Sequence, residues 1–168
     1  GCRIVKEDCR LQLDLNSLAK GYTVDMFADY LQGIGCSDYI VEIGGEIRAA
    51  GVNAHGKSWR IGVDSPFDGN QTPGEYQQTV INISDKAVAT SGNYRRYYTD
   101  SEGNKVSHTI SPKTGRSVAS RLLSATVVAD LCVEADAMAT MFMAMGDRAA
   151  VELAEQLKAE GVQVYFVL

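Results

Sequence analysis

Between residues 39 and 129 glycine, proline and polar turn signals cut the chain into strand-length segments, and this spacing limits the fold more than any other feature. Tyr39 to Ile43, Glu46 to Ala50, Ser58 to Asp64, Gln77 to Ser84, Ala87 to Thr90, Tyr94 to Thr99, Lys105 to Ile110 and Leu122 to Ala129 each read as a strand. The breaks fall at Gly44-Gly45, at Pro66 with the loop from Phe67 to Tyr76, at Ser101 to Asn104, and at Ser111-Pro-Lys-Thr-Gly115. Helical period appears in only three places. An antiparallel-rich sheet covered by helices, an α+β architecture, is therefore expected.

The first helical pattern follows Asn16 or Ser17, either of which can cap it, and stops at Gly35. Its apolar stripe is Leu18, Ala19, Tyr22, Met26, Phe27, Tyr30, Leu31 and Ile34, which predicts that this face is buried. Residues 3–15 read as two extended pieces around a Glu7-Asp8 turn. There Leu11, Leu13 and Leu15 alternate with polar residues like a half-buried strand. Two helices are expected over 132–145 and 147–159, split at Gly146 and Asp147, before a last strand from Val162 to Leu168.

With 168 residues the chain reads as one domain with room for a core that needs no staples. There are 16 Lys and Arg against 21 Asp and Glu, a formal net charge of −5, which disfavours a nucleic-acid backbone as partner. A small phosphorylated ligand stays open, because local donors can oppose the global sign. Cys2, Cys9, Cys36 and Cys132 form no CxxC pair, and His55 and His108 lie far from them, which argues against zinc. Buried free thiols are the plainer reading. No run of 18 apolar residues occurs. Gly1 reads as a residue left after tag removal, and the chain ends abruptly in an apolar run. A trimmed piece of a longer parent is expected, in which an export signal would not be visible.

Five stretches carry more glycine, hydroxyl and charge than a bland fold requires. In DLNSLAKGYTVD a strand delivers Asp14 to a helix start, where free N–H groups receive anions, and Lys20 lies within two turns of that end. A capping Asp14 and a solvated Lys20 explain the same residues. In IVEIGGEIRAAG the glycine pair permits positive φ, or marks a bulge. In ATSGNYRR, Thr90, Ser91 and Gly92 offer hydroxyls and open backbone, and Arg95 or Arg96 a phosphate fork, though an ordinary turn would look alike. In SHTISPKTG, His108 precedes a rigid turn, where an imidazole could be held against a substrate or be structural. In VEADAMATMFMAMG, Asp136 and Thr140 are i and i+4, about 6 Å apart along one helix face. A carboxylate with a hydroxyl suits a hard cation, while Asp136 near a helix start also gains from the dipole. The methionines of that stretch read as packing.

Taken in order, the stretches DLNSLAKGYTVD, IGGEIRAAG, WRIGVDSP, TSGNYRR, HTISPKTG and ADAMAT resemble the ApbE family of FAD:protein FMN transferases, from about Asp14 to Gly146. The resemblance implies an ApbE-like, T-fold-like domain over 1–168, the C-terminal portion of a longer parent and shortened at its N-terminus. It implies transfer of FMN from FAD to a Thr or Ser hydroxyl of an acceptor flavoprotein of a membrane redox complex, with release of AMP. It further implies magnesium as the cofactor and a parent anchored as a lipoprotein on the extracytoplasmic, periplasmic side. By motif position Asp136 and Thr140 match metal-binding side chains, and Ser17 a backbone carbonyl on the metal. Asp14, Lys20 and His108 match FAD-contacting or active-site positions, with His108 either a general base or a flavin contact. Thr90, Ser91 and Gly92 match a substrate-lining turn. A magnesium-dependent FAD pyrophosphatase and a non-catalytic flavin-binding module are the alternatives. Two departures stand out: Asn16-Ser17 replaces a pair of small residues, and Ser111 stands where Asp is common.

Overall fold

The computed structural model describes residues 3–65, 76–93, 97–99, 105–118 and 120–168, with backbone alone at 97–99 and 105–107. The elements run α1 (Ala19–Gly33), β1 (Tyr39–Ile43), β2 (Glu46–Ala50), β3 (Trp59–Asp64), β4 (Gln77–Ile83), β5 (Lys86–Gly92), β6 (Tyr97–Thr99), β7 (Lys105–Ser107), β8 (Ser124–Ala129), α2 (Cys132–Met145), α3 (Asp147–Leu157), a 3-10 turn (Lys158–Glu160) and β9 (Gln163–Val167). Five strands form an antiparallel sheet in the order β1-β2-β5-β8-β9, and β3-β4 and β6-β7 form two separate hairpins. The α+β architecture expected from the spacing is the one observed. The loop at 67–75, the turn at 101–104, and Arg95 and Arg96 lie outside the described residues.

The central sheet is covered on both faces, which is why all six residues of β8 are buried. Successive strand residues point to opposite faces. Ala89, Ala125, Val127 and Ala129 face α2 and α3, in a cluster with Ala135, Ala139, Phe142 and Met143. Val88 and Val128 face the other way, against Ile61, Val63, Ile81 and Ile83 of the β3-β4 hairpin. The Phe142 and Phe166 rings meet edge to face at 5.3 Å, a favourable aromatic geometry. Met138 and Met141 join this packing, as their sequence position suggested. Of the described cysteines only Cys132 is buried; Cys9 is exposed and Cys36 half-buried, so buried thiols hold at one position.

Helix α1 buries a different face from the one its large apolar residues predict. The buried residues are Gly21, Val24, Asp25 and Ala28, an i, i+3, i+4, i+7 stripe. Tyr22, Met26, Phe27, Tyr30 and Ile34 are exposed. The cause is the close crossing with α2, which admits only small side chains: a Cβ on Gly21 would lie 2.7 Å from the Cys132 carbonyl carbon and 2.8 Å from the Asp136 Cβ. The start also differs, since Leu18 is the N-cap and makes no side-chain cap, so neither Asn16 nor Ser17 caps α1. The stop is as expected: Gly35, at φ +90°, donates to the Gln32 carbonyl at 3.0 Å.

Residues 3–15 keep the expected turn, with the Leu11 N–H on the Asp8 carbonyl at 3.1 Å, but form no strand. Leu11, Leu13 and Leu15 are each more than half exposed, because no neighbouring strand among the described residues offers them a ladder or a face. The Ser111–Gly115 turn forms as predicted: Gly115 sits at φ +66° and donates to the Ser111 carbonyl at 2.9 Å.

Candidate functional site

The site grows from the α1–α2 crossing. Gly21 is the third residue of α1, so its N–H is one of the first-turn donors that no carbonyl of the helix can take. It donates to the Asp136 carboxylate, Oδ2 accepting at 2.9 Å. Ser17 is half-buried, and its carbonyl receives no backbone hydrogen bond among the described residues. The start of α1 is thus capped by a carboxylate from α2. Asp136 is 3% exposed, and burial pushes its carboxyl above the usual carboxylate range, against the opposing pull of the Gly21 amide and Lys20. Asp136 therefore does not serve the start of its own helix, as the dipole reading had it; it caps the start of α1.

One turn along α2, Thr140 Oγ1 lies 3.0 Å from Ser91 Oγ. The strand period explains why Ser91 takes part and Thr90 does not. Ser91 shares the helix-facing side with Ala87 and Ala89, whereas Thr90 points to the other face, where its hydroxyl meets Thr126 at 2.8 Å. The Thr90-Ser91-Gly92 segment is the end of β5 rather than a turn. Just beyond it, Asn93 Oδ1 accepts from the Thr109 hydroxyl at 2.9 Å, which ties the segment just past His108 to the same end of β5; the strand expected through Ile110 ends at Ser107, before the histidine. His108 is exposed.

Lys20 is not simply a solvated helix lysine, because it is paired with Glu46. Its ammonium lies 2.5 Å from Glu46 Oε1, with the Lys20 side chain half exposed and that of Glu46 3% exposed. Glu46 follows the Gly44-Gly45 turn, whose positive φ values of +62° and +98° bring the hairpin over this pair. Glu46 Oε2 is buried without a partner, and burial pushes its carboxyl up despite the Lys20 charge. The charge of Asp136 acts on Glu46 in the same direction, so Lys20, Glu46 and Asp136 form one electrostatic group. Asp14 stands outside it: it is exposed and accepts from the Asn16 N–H at 2.8 Å, a local turn.

Sequence reasoning missed four residues here: Gly21, Asp25, Glu46 and Arg48. All lie inside stretches already marked for their glycines and charge, and the i, i+4 spacing of Gly21 and Asp25 was a readable signal. Among the described residues no three His, Cys, Asp or Glu side chains converge. The candidate donors named from the sequence are all oxygens: the Asp136 carboxylate, the Thr140 hydroxyl and the Ser17 main-chain carbonyl. That set suits a hard divalent cation that keeps several waters, and not a soft metal.

The family model described as the ApbE family matches residues 2–166. The FAD:protein FMN transferase of Vibrio cholerae serotype O1 is 42% identical over 155 residues, which is 92% of this chain and 45% of that protein. The Escherichia coli K12 protein of the same name is 36% identical over 157 residues, 94% of this chain and 42% of that one. Among solved structures, the flavin transferase ApbE of Vibrio cholerae superposes with a TM-score of 0.75 at 40% identity, over 93% of this chain and 47% of that one. The apo form of Pseudomonas stutzeri flavinyl transferase ApbE gives 0.78 at 34% identity, over 94% and 46%. The chain spans less than half the length of each of these relatives.

Proposed function

The chain belongs to the ApbE family, and from that premise we propose that the protein transfers FMN from FAD to a Thr or Ser hydroxyl of an acceptor flavoprotein, releasing AMP. In this reaction the acceptor oxygen forms a bond to the FMN phosphorus, the bond to the bridging pyrophosphate oxygen breaks, and AMP leaves with that oxygen. Such a displacement needs charge neutralisation and in-line placement more than covalent help. Magnesium bound by Asp136, Thr140 and the Ser17 carbonyl would supply the neutralisation. The observation that carries this reading is the hydrogen bond from the Gly21 N–H to Asp136, which fixes a buried carboxylate at the start of the helix that follows Ser17. Lys20, held by Glu46 beside Asp136, adds positive charge for a pyrophosphate. His108 is assigned to the acceptor hydroxyl, whose proton it takes, and the neighbouring Thr109 on Asn93 ties its segment to the Ser91 end of β5. From the family resemblance we also propose a membrane redox complex as the source of the acceptor, and a lipoprotein-anchored, extracytoplasmic parent.

The test uses the intact protein with FAD, magnesium and a candidate acceptor, and reads acceptor mass. Asp136→Asn keeps an acceptor for the Gly21 N–H but removes the charge that holds a hard cation. It should abolish labelling at ordinary magnesium, with partial recovery at high magnesium or with manganese. Thr140→Val should reduce labelling less. Free FMN and AMP without a labelled acceptor would convert the reading to a pyrophosphatase. Normal labelling by Asp136→Asn would remove the metal assignment.

A further inference from the structure

Neither α1 nor α2 carries a side-chain cap of its own: their N-cap residues are Leu18 and Leu131. The free N–H groups of each first turn are taken by an aspartate of the other helix. Asp136 of α2 accepts from Gly21 in the first turn of α1, at 2.9 Å. Asp25 of α1 accepts from the first two residues of α2, Oδ1 from Cys132 N at 3.0 Å and Oδ2 from Val133 N at 2.9 Å. Gly21 and Asp25 are one turn apart on α1, and Cys132 and Asp136 one turn apart on α2, so the three bonds lock the helices in a single register. Asp25 is 6% exposed and has its own counter-ion: Arg48 of β2 donates from Nη1 to Asp25 Oδ1 at 3.0 Å and to the exposed Asp29 at 3.1 Å. The α1–α2 crossing is thus fastened to the sheet.

We propose that Asp25, backed by Arg48, is a positioning residue for the reaction: it sets the register of α2 that places the Asp136 carboxylate on the Gly21 amide at the start of α1. The inference rests on the reading of Asp136 as a metal ligand, and its core, the reciprocal capping, stands on geometry alone. A carboxylate has two acceptor oxygens for two N–H donors. Asn at this position has one, and its amide group meets the other donor and Arg48 with like polarity. Asp25→Asn therefore frees the first turn of α2 and lets Asp136 drift from Gly21.

The experiment uses the intact protein and two readouts. Amide hydrogen exchange at Gly21, compared with Ala28 on the same helix, needs neither metal nor FAD. Manganese binding, followed by the resonance signal of free Mn2+, reports the cation site. Asp25→Asn should raise Gly21 exchange at least tenfold relative to Ala28 and weaken Mn2+ binding at least tenfold. Arg48→Gln should move both in the same direction by a smaller factor, and decides the matter if Asp25→Asn does not fold. Ile81→Ala, in the β3-β4 hairpin, provides a comparable loss of melting temperature away from the crossing and should move neither readout. The proposal is overturned if Gly21 exchange is unchanged in the aspartate and arginine variants, or changes no more than in Ile81→Ala. It is also overturned if Gly21 responds and Mn2+ affinity does not. A wild-type protein that binds Mn2+ but labels no acceptor would remove the transferase reading and leave this one standing.

Discussion

Helix α1 contains two glycines, Gly21 and Gly33, and the same substitution at each should act with opposite sign. At Gly33, nothing lies within 4 Å of the position an added Cβ would take. Gly33→Ala therefore gains helix propensity at the last residue of α1, about 0.5 kcal/mol. At Gly21 the new Cβ would press into the Cys132 carbonyl and stand 2.8 Å from the Asp136 Cβ, so the helices must part. Overpacking of this kind costs about 1–3 kcal/mol. Parting also lengthens the Gly21–Asp136 hydrogen bond, and a buried carboxylate that loses a donor costs roughly another 1–3 kcal/mol. Against these stands a propensity gain of about 1 kcal/mol. The net is a loss of about 1–5 kcal/mol, or roughly 2–20 °C in melting temperature for a chain of this length. Thermal unfolding of both variants beside the wild type, with Mn2+ binding on the same samples, checks it. Gly21→Ala should melt well below the wild type and bind Mn2+ poorly, while Gly33→Ala melts slightly above and binds normally. If Gly21→Ala is as stable as Gly33→Ala, the close crossing and the tertiary cap are both wrong.

Lys20→Met leaves the buried Glu46 without its counter-ion; a fully buried pair so broken costs 3–5 kcal/mol, and because Lys20 is half exposed roughly 1–2 kcal/mol is expected here. Its sign with pH is fixed: a carboxyl pushed up in the fold contributes stability at low pH that is lost as pH rises through its folded value, so the deficit in chemical denaturation should be smaller near pH 5 than near pH 8. Glu46→Gln added to Lys20→Met should recover most of it, and a deficit that stays constant with pH would refute the pairing. The metal-free Asp136→Asn protein should melt at or slightly above the wild type at neutral pH, since burial already disfavours the charge it removes; a clear fall in melting temperature would count against this. Cys132, 0% exposed and pushed up to about 12 by burial and the nearby Asp25, Glu46 and Asp136 charges, should resist alkylation at pH 8–9 while Cys9 reacts, as peptide mass mapping would show. The fold should lose stability as pH rises from about 9, where the unfolded thiol ionises, towards about 12, where the folded one does.

The parts of the fold that were legible in the sequence are those whose signals are local. Gly146 and Asp147 divide α2 from α3 where expected, with Gly146 at φ +81°. The Ser111–Gly115 turn and the succession of short strands follow from turn chemistry that a few neighbouring residues settle. The spacing of Asp136 and Thr140 put both on one side of α2, and the structure gives them different partners, Gly21 of α1 for Asp136 and Ser91 of β5 for Thr140. The failures have one physical origin. Tyr22, Met26, Phe27 and Tyr30 outweigh Gly21, Val24, Asp25 and Ala28 in any tally of hydrophobicity, yet which side of a helix is buried depends on how closely its neighbour comes. At the α1–α2 crossing the approach is so close that small size, not hydrophobicity, decides the face. Leu11, Leu13 and Leu15 fail similarly: alternation describes a strand only when another strand pairs with it.

The capping of α1 and α2 explains why the site was only half readable. A helix start is usually announced by a Ser, Thr, Asp or Asn at its own N-cap. Here the caps are Asp136 for α1, 115 positions away, and Asp25 for α2, 107 positions away, so Leu18 and Leu131 look like poor starts in isolation. The same arrangement removes the boundary between stability and chemistry. The Gly21 N–H, a first-turn donor with no carbonyl of its own helix to bond, both closes the start of α1 and orients the buried Asp136 carboxylate. Any change that moves Asp136 away from Gly21 would therefore uncap α1 and displace the candidate cation ligand together.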